Sequence, residues 1–278
     1  MKGKSLSHFS ELINENHDKF KEKFSKLSEA AEAVNQSFQT LFEYLTVDRS
    51  IEWHLATVLM AVPAHMSWIN SYIFSTAGYI DSSFTEIRRA IEFACYASKV
   101  KNNKERSIDW LKQRTEIEVR KKFINWSSIP LCYTNDKYSK LRPLLIAYDT
   151  ANYYGAHATF ETLAYRIPSF NEEQLKIYYQ SNKDVFPLFP GYIIILGYQI
   201  IKIFQDIFKD SLKEKEKFDE IMDYNNSQVK QSQIIMVGSK LKKIPDSVIN
   251  SIYNEDMTEV NKLFNEYICR ETERKKKE

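Results

Sequence analysis

The chain has 278 residues, 14% of them aromatic, with six glycines, seven prolines and a formal net charge of +2. That length supports a sizeable core, and the scarcity of turn-forming residues argues for helices over a strand-rich fold. The near-neutral balance supplies no global field toward nucleic acid or anionic lipid, although it leaves room for a local basic face. Cys95, Cys132 and Cys269 are widely spaced without metal-ligand spacing, and their odd number fits a reducing compartment. The start is polar and amphipathic, without the apolar core of a signal peptide, so cytoplasmic residence is expected.

In chain order, Phe9, Leu12, Ile13, Phe20 and Phe24 recur at helical spacing and predict a first helix over Leu6 to Leu27. Ser28 opens a second, with Ala33, Phe38, Leu41, Phe42 and Leu45 on its buried side. A long apolar segment runs from about Ser50 to Ile80, with His65 its one strongly titratable side chain after Leu55. Its scattered Ser, Thr and Asn make it a buried helix bent near Pro63, and a membrane span is not favoured. Asp81-Ser82-Ser83 caps the next helix, with Ser83 and Glu86 at capping-box spacing. In it Glu92 lies close to the apolar side, where a charge wants a partner, and Arg88 stands four residues before it.

Glu105 to Ile124 reads as one charged amphipathic helix, and Trp126 to Asp136 as a loop. The stretch Leu141 to Arg166 reads as the long central helix of the molecule. Ala147, Ala151 and Gly155 form a strip of small residues along it, and Asp149, Tyr153, His157 and Glu161 a polar file. LKIYYQ, from Leu175, is a short strand or an extended crossover. GYIIILGYQIIKIFQDIF then forms a second apolar helix, interrupted by Gln199 and Lys202 and followed by Asp206. Leu212 to Val237 is a charged helix or helix pair, and two short helices end the chain. The expected fold is an all-α multi-helix bundle over residues 1–278, with a soft boundary near 209–215.

Most catalytic signatures are absent. QIIMVGSK lacks the first glycine of a phosphate loop and has Ser239 where lysine should follow Gly238. There is no Glu-x-x-His pair and no H-E-x-x-H, so no metal and no cofactor is expected. Cys95 sits in an apolar helix, where a thiol is inert packing. Tyr153, His157 and Glu161 read either as a satisfied structural network or as a polar pocket met by Arg88 and Glu92.

Arg49-Ser-Ile-Glu-Trp-His54 has the spacing found in the HEPN ribonuclease superfamily. That resemblance implies Arg49 stabilising phosphate charge and His54 in proton transfer, without metal. The segments Gly78 to Tyr96 and Tyr153-Tyr154-Gly155-Ala156-His157 also resemble a broad set of bacterial all-helical proteins described as HEPN-like or DUF5677-like. By that resemblance the shared polar positions are Arg88, Glu92, Tyr153 and His157, and the Arg49–His54 pair does not fall on them. The leading expectation is a cytoplasmic helical interaction protein of bacterial defence or stress response, a homodimer without a catalytic motif. A metal-independent ribonuclease using Arg49 and His54 and a membrane-acting effector are the alternatives. Nucleic acid as a partner has no support from the net charge.

Overall fold

The computed structural model describes residues 6–48, 50–129, 132, 135–156, 170–171, 174–175 and 188–238. These form an all-α bundle with helices α1 (Leu6–Lys23), α2 (Ser25–Tyr44), α3 (Glu52–Thr76), α4 (Ile80–Val100), α5 (Lys104–Lys112), α6 (Ile117–Ser127), α7 (Arg142–Ala156), α8 (Leu188–Phe208) and α9 (Lys215–Gly238). A 3-10 turn, Asp136–Leu141, leads into α7. The extended pairing among the described residues is a two-residue ladder, Phe170–Asn171 against Gln174–Leu175, and a single bridge between Leu45 and Leu212.

The helix at the centre is α8. It packs against α2, α3, α4, α7 and α9. Tyr192 to Leu196, Ile200, Ile201, Phe204 and Phe208 are all buried. Pro190 sits in its first turn, where a missing N–H costs no helical hydrogen bond. Among the described residues, Phe189–Phe208 is the helix long and apolar enough to cross a membrane, and most of it is enclosed by its neighbours. The stretch Leu141 to Arg166, read as the long central helix, is described in part. Its described part, α7, packs chiefly on α4, with Ala147 and Ala151 fully buried. Residues 157–166 of that stretch lie outside the described residues.

The closest approach in the core joins α3 to α8. The indole of Trp68 lies on Gly197, where any added methyl group would overlap the ring. Its Nε1–H donates to the Ile193 carbonyl at 2.9 Å. Glycine is required here by the ring, since the backbone is ordinary helix.

α3 and α4 form the tightest helix pair. Their turn is a Schellman motif at Gly78, whose φ is 88°. Tyr79 N–H donates to Phe74 O at 2.8 Å and Gly78 N–H to Ser75 O at 3.3 Å, with the Tyr79 and Phe74 rings in edge contact. This turn explains a correction. α4 begins at Ile80 without a side-chain cap, so Ser83 is not its N-cap. Ser83 is buried instead and exchanges hydrogen bonds with Ser71 across the pair, each hydroxyl donating to the other residue's carbonyl at 2.8–2.9 Å. Two small hydroxyl residues let the backbones come close without leaving polar groups unpaired.

α3 runs unbroken through Pro63. The carbonyl freed by proline is that of Leu59, an exposed residue, so water can take the place of the missing N–H. The single helix expected over Glu105 to Ile124 is two, α5 and α6, parted at 113–116. Asn102, at φ 57°, turns the chain out of α4, and Asn103 caps α5 by accepting from Arg106 N–H at 3.0 Å. At the other end of the bundle, Thr46 N–H donates to Ser211 O and Lys213 N–H to Tyr44 O, both at 2.9 Å. These bonds tie the start of α9 to the end of α2, on which it packs.

Candidate functional site

On α4 the Arg88 and Glu92 side chains pair with each other and meet Tyr148 of α7. Arg88 Nε donates to Glu92 Oε1 at 3.0 Å, and the Tyr148 hydroxyl donates to the same oxygen at 3.3 Å. The guanidinium lies over the Tyr148 ring at 5.8 Å. Burial and the nearby Glu92 carboxylate raise the Tyr148 hydroxyl above its usual range, against a lowering hydrogen bond with Asn152. Among the described residues, Tyr148 is the α7 side chain shown bonded to this pair, with Asn152 beside it. Tyr153, on the next line around the helix, is 49% exposed. His157 and Glu161 lie outside the described residues. With Arg88 and Glu92 paired to each other and roofed by Tyr148, this cluster acts as a clamp between α4 and α7.

Of the Arg49–His54 pair, Arg49 lies outside the described residues. His54 is buried, edge-on to Trp53 at 4.1 Å, with Nε2 hydrogen-bonded to the Ser211 hydroxyl at 3.0 Å. Burial lowers its pKa, and Asp48 opposes that shift. A histidine so placed fixes the turn before α9 and has no open face for a phosphodiester.

Two features escaped sequence reasoning because their parts are distant in the chain. Cys95 and Cys132 are both buried and share a thiol hydrogen bond. That bond and burial push Cys95 well up, while the same bond, helped by the Lys99 ammonium against the effect of burial, holds Cys132 down at about 7. Lys99 is buried as well and donates to the carbonyls of Trp126, Ser127 and Ser128 at 3.2, 3.0 and 2.6 Å. Among the described residues, no group of three or more His, Cys, Asp or Glu is placed to hold a metal ion.

The second feature is the outer face of α3. Its inner face is filled by Met60, Ala61, Ala64, Trp68 and Tyr72. On the opposite side Leu59, Val62 and Met66 are 44, 48 and 51% exposed. With half-buried Leu55, Ile69 and Ile73 they recur at intervals of 4, 3, 4, 3 and 4 residues. That is the a/d spacing of a coiled-coil seam, about 27 Å long at 1.5 Å per residue. No Asp, Glu, Lys or Arg occurs from Leu55 to Thr76. A helix so poor in charged side chains is expected to be mostly interior, and this one has a side left open. Sequence periodicity hides the seam, because apolar residues on the inner face blur it.

The chain matches no family among known protein families, no curated protein and no solved structure.

Proposed function

We propose that the chain is a cytoplasmic helical interaction protein that works as a homodimer, closed by the outer face of α3. The observation that carries this reading is the open seam of Leu59, Val62 and Met66 on a helix with no Asp, Glu, Lys or Arg from Leu55 to Thr76. A second copy is the partner that suits it. Charged residues within a seam select a different partner or repel an identical one, and none lies on α3 between Leu55 and Thr76. Val62 and Met66 flank the middle of α3, so a two-fold axis there lays the whole seam on its own image and closes the assembly. The two free, buried thiols support the reducing compartment. A role in bacterial defence or stress response belongs to the same reading and rests on the resemblance alone. The enclosed His54 lends no support to RNA cleavage.

One helix face is smaller than the roughly 800 Å² per partner of a standard interface, so the dissociation constant is expected on the order of micromolar. Sedimentation equilibrium across that range tests it. Val62→Glu sets two carboxylates near the axis, while its half-exposed site leaves the protomer folded. Wild type is expected to shift from monomer to dimer with concentration, and the variant to stay monomeric and to melt as dilute, monomeric wild type does. A wild-type monomer at every concentration, or a variant that dimerises as well as wild type, overturns the proposal.

A further inference from the structure

Cys95, Lys99 and Cys132 form a cluster built from residues that the dimer reading does not use. Cys95 and Lys99 stand four residues apart on α4, so both side chains leave the same face of that helix. Cys132 comes from the chain beyond α6, and its N–H donates to Ile129 O at 2.9 Å. All three residues are buried. The two thiols are hydrogen-bonded to each other, and the Lys99 ammonium donates toward the Cys132 sulfur. The same ammonium holds the carbonyls of Trp126, Ser127 and Ser128, a few residues ahead of Cys132. These bonds fix the approach of that segment to α4, and with it the approach of one sulfur to the other.

A buried ammonium wants a negative charge beside it. Carbonyl oxygens satisfy its hydrogens without cancelling its charge. Burial lowers the Lys99 pKa, the two thiols raise it, and Arg106 lowers it again. The Tyr138 ring lies 6.0 Å from the ammonium. Cys132 is the anion of the cluster. The hydrogen bond from Cys95 and the Lys99 ammonium hold its pKa at about 7, against the effect of burial. The bond to Cys132 and burial push Cys95 the other way, with Glu92 adding to them, so Cys95 stays a protonated thiol. Tyr96, close to both Cys95 and Glu92, is raised by burial and stays neutral. A cysteine that only fills space is protonated and needs no cation. Here a thiolate lies against a thiol, one placed to attack and the other to resolve the product.

We propose that Cys95 and Cys132 form a reversible disulfide when the chain meets hydrogen peroxide. The Cys132 thiolate attacks one peroxide oxygen and the O–O bond breaks. Cys132 becomes a sulfenic acid, and the departing hydroxide takes up a proton from solvent and leaves as water. The Cys95 sulfur then attacks the Cys132 sulfur and the S–O bond breaks. That hydroxyl leaves with the Cys95 proton as a second water. The two thiols together lose two electrons, and one peroxide is reduced to two waters. A dithiol reductant reverses the bond by exchange. Oxidation removes the anion facing Lys99 and ties α4 covalently to the chain beyond α6. Peroxide is little larger than water, so a brief local opening admits it.

Peroxide titration of the full chain tests this, read by intact mass and by peptide mapping without reductant. The expected product is a single chain two hydrogens lighter, with the peptides of Cys95 and Cys132 joined. A dithiol should restore the starting mass. Cys95→Ser is expected to accumulate oxygen on Cys132, and Cys132→Ser to leave Cys95 reduced. Lys99→Met separates charge from support. In wild type the rate of bond formation should rise with pH through about 7. In Lys99→Met that rise should move to higher pH, because the cation favouring the thiolate is gone. A rate altered equally at every pH would overturn the place given to Lys99. Mapping of wild type decides the proposal even where a serine variant fails to fold. A bond to Cys269, a bond between chains, or oxygen added to the two cysteines without joining them would overturn it. Thiols still reduced once the exposed Met66 has oxidised would overturn it too.

Discussion

His65 shows how a single side chain ties burial to pH. It stacks on Phe38 at 4.5 Å and has Trp68 at 6.2 Å, both rings near-parallel to its own. Its Nε2 meets the Asn35 carbonyl oxygen at 2.9 Å, which makes that nitrogen the protonated one of a neutral ring. Burial pulls its pKa down to about 4. The unfolded chain therefore takes up a proton near pH 6.5, and the folded one only near 4. The stabilising effect is complete above 6.5 and is lost as pH falls toward 4, about 3 kcal/mol for this one group. His17 and His54 are also lowered and act in the same direction. Urea unfolding of His65→Phe, which keeps a ring in the stack, is expected to show a flatter dependence on pH between 6.5 and 4 than wild type. Parallel pH curves for the two proteins would mean that His65 is not the group being titrated.

At the scale of elements, α5 and α6 are held by polar pins more than by burial. Ile117 and Ile124 are exposed, and Ser127 is the fully buried residue of α6. Lys99 takes the three carbonyls at the end of α6, Trp126 Nε1 donates to Asp109 at 3.1 Å, and Arg106 reaches both Lys99 O and the Tyr138 hydroxyl. A cation at a helix C-terminus satisfies orphan carbonyls and the helix dipole together. Lys99→Met keeps the buried stem and removes the cap. Amide exchange over 117–127 is then expected to quicken, while the core of α8 stays protected. Uniform quickening across both helices would place Lys99 in the global core instead. This arrangement also marks the limit of what the sequence shows. The helices themselves are legible from periodicity, because each buries one stripe. The break between α5 and α6 is not, since an exposed, charged pattern continues through Gln113 to Glu116 without a glycine or proline. The partner of Glu92 was legible as a need, and α7 as its source. The choice between Tyr148 and Tyr153 depends on how far α7 is rotated about its axis, which the facing surface of α4 decides. The thiol pair was invisible, since Cys95 and Cys132 meet only when the chain beyond α6 is laid on α4.

For the whole molecule, α3 decides what happens when copies meet. Most of helix α8 is enclosed by its neighbours, whereas α3 leaves Leu59, Val62 and Met66 exposed along one face. Met66 reports on that surface, because its thioether is half exposed in the protomer and would be covered in the dimer. Peroxide converts an accessible thioether to a polar sulfoxide, which an apolar seam tolerates badly. Oxidation of Met66, followed by peptide mass spectrometry, is expected to be fast in dilute protein and slow above the dissociation constant. In Val62→Glu it should be fast at every concentration. Met60, buried on the inner face of the same helix, is the internal control and should resist in all samples. Once formed, the sulfoxide should itself hold the chain monomeric, so that oxidised protein sediments as Val62→Glu does. If Met66 oxidises at one rate regardless of concentration, the seam is open in the assembled protein and the interface lies elsewhere.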